Sequence, residues 1–415
     1  MTSYRLIIHL FLPLIVIYTA RIAVRYRSMK YFLQRLGFGY TGLDRHSIWL
    51  HCASVGEVNT ALPLIKTLIK EYPQQAFIVT TVTPTGAEII GRQKLNNVVH
   101  GYLPVDFRFC VNQFLKQVKP KLAFILETEI WPELYFQCAR YSIPVTIVNG
   151  RLSKKTLQAN NWMQKQYQAA LGRVDHVMAR SETDRSGFLQ LGCENNKIEV
   201  LGNLKFSGSA DLMPGELQDF SQRKFVLLAS SHNDEELQFA EMWKMLDVKD
   251  YLLVIVPRHP ERGRGIAAHL AELGFQVALR SNKDDVTGNT DIYIADTLGE
   301  LVDFMARADI VFMGGSLIEH GGQNILEPAR LAKPLVIGPY FYNFQQEVDL
   351  FLEHKACIQV ENINQLAETL GRLLQDEQER KDLSARAERL MAEQDDIVEK
   401  YNARIKTCYK DYFKS

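Results

Sequence analysis

From about residue 45 onward the chain alternates short apolar runs with stretches whose apolar residues recur every three or four positions. Runs at 47–53, 76–81, 121–126, 145–148, 176–179 and 198–201 predict strands, and the intervening 58–71 and 131–141 carry helical spacing. The stretch 202–217, with Gly208, Pro214 and Gly215, breaks the rhythm and reads as a linker. The pattern restarts at 225–229, 251–256, 276–279, 292–295, 309–313 and 335–337. This is the βαβ alternation of an α/β chain with two similar, mostly parallel sheets. The tail, 363–415, is rich in Glu, Lys, Arg, Leu and Ala and predicts helices with solvated faces.

The N-terminus follows a different pattern. Residues 6–20 carry no charge and are interrupted only by His9 and Pro13, and Arg21, Arg25, Arg27, Lys30 and Arg35 follow. A spanning helix needs about 20 apolar residues, reached here only if 22–24 are counted and Arg21 snorkels; an in-plane amphipathic anchor satisfies the same pattern. Positive charge after the apolar run disfavours a cleaved signal peptide and, by the positive-inside rule, keeps the following domains cytoplasmic. The expected division is a membrane anchor over 1–30, one domain over 31–207 and a second over 208–415 that includes the helical tail. A length of 415 residues suits about two domains. Lys plus Arg equals Asp plus Glu at 48 each, so no overall field draws in nucleic acid. Six scattered cysteines without a C-x-x-C pair suit a reducing compartment and no structural zinc.

Ligands of open parallel sheets collect beyond the carboxyl ends of the strands, and polar residues follow the apolar runs there. The longest such stretch is Gly314-Gly315-Ser316 through Gly321-Gly322-Gln323-Asn324-Ile325-Leu326-Glu327-Pro328. Its glycines let amides approach a phosphate at a helix start, and Asn324 and Glu327 share a helix face suited to hydroxyls and a base. A glycine turn before a capped helix would read the same way. Glu57, in Ser54-Val55-Gly56-Glu57, is either the carboxylate of a capping box or a general base held ionised near a helix start. Glu127, Glu129 and Glu133 suit a helix dipole, yet three acids in seven residues exceed what capping needs. Lys205 is a linker lysine or a stabiliser of developing negative charge. Arg258 and His259, between Pro257 and Pro260, are an exposed basic turn or an anion fork. The ten histidines show no metal spacing, and the P-loop and G-x-S-x-G patterns are lacking.

Together these segments resemble the 3-deoxy-D-manno-octulosonic acid (Kdo) transferases of lipopolysaccharide synthesis. The likeness runs through Ala53 to Glu57, Glu127 to Glu133, Val148 to Ser153, Val256 to Glu261 and Gly321 to Pro328. The resemblance implies a GT-B architecture of two Rossmann-like domains facing across a cleft, and inverting transfer of Kdo from CMP-Kdo to a lipid A precursor at the cytoplasmic face of the inner membrane. It implies Glu57 as proton acceptor, with Glu127 and Lys205 stabilising the transition state. It places CMP on Arg258, His259, Leu298, Gly299, Glu300, Asn324, Ile325, Leu326 and Glu327 of the second domain, and the acceptor on the first. No cofactor or metal is expected, because Arg258, Lys205 or helix amides can take the charge of a leaving CMP. Hinge closure about 202–217 would bring donor and acceptor together, with Arg21, Arg25, Arg27, Lys30, Arg151, Lys154 and Lys155 steering acceptor phosphates. Two alternatives stay open: a UDP-sugar-dependent GT-B enzyme or epimerase, and a membrane-attached nucleotide-binding module.

Overall fold

A computed structural model describes residues 2–40, 46–209, 212–217 and 220–413. The first sheet contains β1 (Ile48–His51), β2 (Phe77–Thr81), β3 (Val98–Tyr102), β4 (Leu122–Leu126), β5 (Val145–Gly150), β6 (His176–Ala179) and β7 (Ile198–Val200). Its order is β3-β2-β1-β4-β5-β6-β7, and every pairing is parallel. The second sheet contains β8 (Lys224–Ser231), β9 (Tyr251–Pro257), β10 (Val277–Leu279), β11 (Ile292–Ile294), β12 (Ile310–Met313), β13 (Leu335–Ile337) and β14 (Ile358–Gln359). Its order is β10-β11-β9-β8-β12-β13-β14, again all parallel. Continuous apolar runs become central strands because helices cover both faces; β1, β2, β4, β9 and β12 are buried along their length.

The helices before and around the first sheet are α1 (Thr2–Arg25), α2 (Met29–Arg35), α3 (Val55–Glu71), α4 (Pro84–Arg92), α5 (Arg108–Val118), α6 (Pro132–Arg140), α7 (Lys154–Leu157), α8 (Asn161–Leu171) and α9 (Glu182–Gln190). Those of the second are α10 (Glu235–Leu246), α11 (Gly263–Glu272), α12 (Leu301–Arg307), α13 (Leu326–Arg330), α14 (Gln345–Glu353), α15 (Ile363–Gln375) and α16 (Glu377–Ala392). The last helix is α17 (Ile397–Tyr409). Two strands escape the sequence pattern. β3 contains His100 and Gly101 at a partly exposed sheet edge, and β14 is two residues long, too short for a periodic signal.

The chain forms two compact units, 1–208 with 396–415 and 209–395. The tail therefore departs from the expected division, because its last twenty residues belong to the first unit. Tyr401, Ile405 and Tyr409 on α17 are buried; the Tyr401 hydroxyl donates to the Gly202 carbonyl at 2.9 Å, and Tyr409 packs edge-on against Phe124 and His176. Amphipathic spacing marks a helix that needs a partner but does not specify which core supplies it. The expected linker is described over 202–209 and 212–217, and residues 210 and 211 lie outside the described residues.

α1 is long and apolar enough to cross a membrane by length and composition. It lies against its own unit. Tyr4 donates to Asp106 at 2.6 Å, and Arg5 makes a bidentate pair with buried Glu133 at 2.8 and 3.0 Å. Asp106 also accepts the amides of Glu133 and Leu134, capping α6, so the same carboxylate joins two helices. Glu133, one of the three acids singled out above, thus serves packing. The opposite face of α1 exposes Leu6, Leu10, Leu14 and Val24.

Candidate active site

In the first unit the carboxyl edge of the sheet gathers acids from adjacent strands. Ser54 caps α3: its hydroxyl accepts the Glu57 amide at 3.3 Å, while Glu57 Oε2 accepts the Ala53 amide at 2.7 Å and Oε1 receives the Ser54 hydroxyl at 3.3 Å. The capping reading of Glu57 is therefore realised. The expectation that a helix start keeps it ionised is not. Burial, with Glu129 and Glu127 nearby, pushes its pKa up to about 8, against the lowering by the Ala53 and Ser54 bonds. One carboxyl thus caps a helix and has a pKa raised toward neutrality.

Glu127 follows β4 with φ +54, an unfavoured conformation for a residue with a side chain, and its amide returns to Val148 at 3.0 Å. Its buried carboxylate pairs with Arg151 after β5 at 2.7 Å. Glu129 is held below the usual carboxylate range: burial works against this, but His51 and the Trp131 indole N–H, 2.7 Å away, outweigh it. The His51 Nε2 lies 3.7 Å from Glu129, and its Nδ1 sits 2.9 Å from the Thr80 hydroxyl. His51 closes β1 immediately before the Glu57 loop, and that position was the available signal for a residue the sequence reading passed over. Lys205 lies on the short turn after β7, at the same edge of the sheet; Asn149, itself at φ +54, accepts the Leu204 amide at 3.0 Å and fixes that turn.

In the second unit, β12 opens into the glycine loop, where Gly315, Gly321 and Gly322 have φ of +68, +90 and +71, conformations that disfavour a Cβ. The amides of Gly315, Ser316 and Leu317 do not wait for a phosphate. They donate to the fully buried carboxylate of Glu235 at 2.7, 3.2 and 3.1 Å, and the same side chain accepts the His232 amide at 3.0 Å. Glu235 is an internal anion organising the loop, invisible in sequence because it lies some eighty residues upstream. Burial raises its pKa against the lowering by those amides.

Asn324 lies just before α13 and not on its face, yet its side chain donates to Glu327 at 3.0 Å and accepts the Leu326 amide at 3.2 Å. Burial raises the Glu327 pKa, countered by Asn324 and by Arg258. Arg258, His259, Asn324 and Glu327 thus share one corner with His232, whose ring lies tilted by 40° against that of His320 with centroids 3.7 Å apart and meets Gln323 at 3.1 Å. Burial and the neighbouring His320, His259, Arg262 and Arg258 lower His232 to about 4, so it stays neutral. Ile325 and Leu326 are buried in the core, leaving only their backbone for a ligand. Leu298 is 86% exposed, Gly299 has φ +94, and Glu300 is held by Arg280 at 2.6 Å and by Thr297. Among the described residues, no hydrogen bond or ion pair joins 298–300 to the Arg258 corner. Also among the described residues, no group of three or more His, Cys, Asp or Glu side chains could hold a metal ion.

Two parallel-sheet units, each with polar side chains collected at the carboxyl ends of its strands, make the GT-B architecture, and the family matches make this chain a glycosyltransferase. The family described as 3-deoxy-D-manno-octulosonic-acid transferase (kdotransferase) matches residues 30–208, and glycosyl transferases group 1 matches 275–390. A 3-deoxy-D-manno-octulosonic acid transferase from Haemophilus influenzae is 32% identical, covering 88% of this chain and 87% of its own. One from Rickettsia bellii is 30% identical, with 90% and 91% covered. The chain belongs to this Kdo transferase family. A putative UDP-N-acetylglucosamine 2-epimerase from Listeria monocytogenes shares the fold, with a TM-score of 0.60 at 14% identity over 89% of this chain and 98% of that one.

Proposed function

We propose that the protein transfers Kdo from CMP-Kdo to a phosphorylated lipid A precursor, inverting the anomeric centre, with Glu57 as proton acceptor. The observation that carries this is the Glu57 carboxyl itself: partly accessible, in the first turn of α3 beyond β1, with a pKa raised to about 8 by burial and by Glu129 and Glu127. A base works best when its pKa lies near the operating pH. The acceptor hydroxyl gives its proton to Glu57 as its oxygen bonds to the anomeric carbon, while the bond from that carbon to the CMP phosphate oxygen breaks. The electron pair leaves with CMP. Glu127, anchored by Arg151, supports positive charge developing on the sugar ring, and Lys205 supports the anionic side of the reaction.

The donor nucleotide belongs to the second unit, where Arg258 is a planar fork suited to the phosphate and His259 a further donor. Asn324 and Glu327 suit ribose hydroxyls or the base, with the buried Ile325 and Leu326 contributing main chain only. The loop 298–300 is a weaker candidate, since Glu300 is already paired. Charge neutralisation by these cations needs no metal.

α1 is best read as lying in the membrane interface on the cytoplasmic side of the inner membrane. Tyr4 and Thr19 are both buried against the same unit although they lie about 22 Å apart along the helix. A perpendicular span would carry the first turn away from that unit. The deciding experiment incubates the full chain with CMP-Kdo and a tetraacylated lipid A precursor and follows products by mass spectrometry. Wild type adds Kdo; Glu57→Gln binds CMP with unchanged affinity and adds Kdo about 10²–10⁴-fold more slowly. CMP binding without turnover on any lipid acceptor would instead favour a nucleotide-binding module, and turnover with UDP-sugars alone a different GT-B enzyme.

A further inference from the structure

Between α1 and the body of the first unit lies a cavity of about 370 Å³. Ile8 and Ile15 of α1 form one wall, and Pro104, Val105 and Trp131 the other. Most polar groups at its margin are satisfied: Tyr4 bonds to Asp106, and the Thr19 hydroxyl donates to the Ile15 carbonyl at 2.8 Å. Arg35 is the exception. One of its terminal nitrogens donates to the Leu103 carbonyl at 2.6 Å, and the Tyr31 hydroxyl and the Glu129 carboxylate lie near enough to act on its charge, but its Nε is buried without a hydrogen-bond partner. A half-buried guanidinium that keeps one buried N–H unsatisfied beside an apolar cavity is completed when a further acceptor reaches it.

Two further observations say what that occupant is. The cavity shares Trp131 with the acidic cluster, because the Trp131 indole donates to Glu129, whose field reaches Glu57. α1 is also the segment whose outer face exposes Leu6, Leu10 and Val24, side chains suited to lipid hydrocarbon and not to water. We infer that this cavity seats one fatty acyl chain of the phosphorylated lipid acceptor, with Arg35 taking an acceptor phosphate at the cavity mouth. The inference rests on the transfer reading above and deepens it. α1 then serves as one wall of the acceptor site as well as an anchor, and Trp131 couples the seated chain to the carboxylates where the sugar hydroxyl reacts.

The test uses the full chain in nanodiscs and a tetraacylated glucosamine disaccharide bisphosphate carrying a mid-chain diazirine. Irradiation is expected to attach the probe to peptides containing 104–106 and Trp131. Excess unlabelled disaccharide lipid should suppress that labelling, and excess phosphatidylglycerol should not. Suppression by phosphatidylglycerol would make the occupant a bilayer lipid and overturn the assignment, as would labelling confined to Leu6, Leu10 and Val24. Kinetics provide the second arm. Ile15→Trp narrows the cavity and should raise the ratio of KM for the acylated acceptor to KM for its deacylated counterpart about tenfold, the effect of losing roughly two buried methylenes. Arg35→Gln should raise KM for both acceptors, since both keep the phosphates. If wild type transfers Kdo but neither labels at 104–106 nor shows a changed KM ratio in Ile15→Trp, the acyl seat fails and the transfer reading stands. If it labels there, competed by the disaccharide lipid, yet transfers to neither acceptor, the seat stands and the transfer reading fails.

Discussion

Glu57 shows how one side chain can satisfy a structural and a chemical requirement together. Replacing it by Gln keeps an oxygen for the Ala53 amide but removes the base, so kcat is expected to fall about 10²–10⁴-fold with CMP affinity unchanged by calorimetry. Because the carboxyl must lose its proton before it can accept another, log kcat/KM should climb with pH and level off near the raised pKa of about 8. The linked stability effect has the opposite sense. A carboxyl whose folded pKa exceeds its unfolded value stabilises fully below the unfolded pKa of 4.5, and that contribution is lost as pH rises through about 8. Thermal unfolding of Glu57→Gln between pH 5 and 8 should therefore fall less steeply than that of wild type. The identity of Glu57 was legible from Ser54-x-x-Glu57, whereas its protonation was not, because the shift comes from burial and from acids that follow a different strand.

Among the elements, the glycine loop after β12 is a scaffold built on Glu235. Glu235→Gln places an amide N–H₂ among backbone donors that need an acceptor, so at least one is left unsatisfied. A loss of about 2 kcal/mol in urea unfolding is expected, with CMP binding weakened because Gln323 and Asn324 lie on the same loop. Unaltered CMP affinity would mean that the loop keeps its shape without the carboxylate. α1 makes an independent case. Arg5→Ala leaves the buried Glu133 carboxylate with only Gln137 as side-chain partner, and should cost about 2 kcal/mol and speed hydrogen exchange across residues 2–25. Exchange unchanged in that segment would show that the helix is held by lipid alone. The sequence marked both elements, one by its glycines and one by its apolar run, and marked Glu133 among three close acids, but Glu235 carries no pattern of its own and neither pairing shows in sequence because the partners sit far apart along the chain.

Across the two units, the path of the chain matters as much as its elements. α17 brings Tyr401, Ile405 and Tyr409 into the first unit after the second is complete. Removing 396–415 would delete three large buried side chains, each worth about 1.5–3 kcal/mol of burial, and uncover the first-unit surface they pack on, a sizeable share of the stability of a typical domain. Limited proteolysis of that deletion should cut within 46–208 first and spare 224–392; equal resistance of both regions would refute the dependence. Alternating apolar runs and helical spacing sufficed to read twelve of the fourteen strands among the described residues, the parallel class and the polar residues beyond the strand ends, because each depends on side chains near in sequence and on the period of one element. The return of α17, the proton on Glu57, the internal anion at Glu235 and the lean of α1 against its own unit depend on groups brought together from distant stretches, and such encounters leave no local periodicity to read.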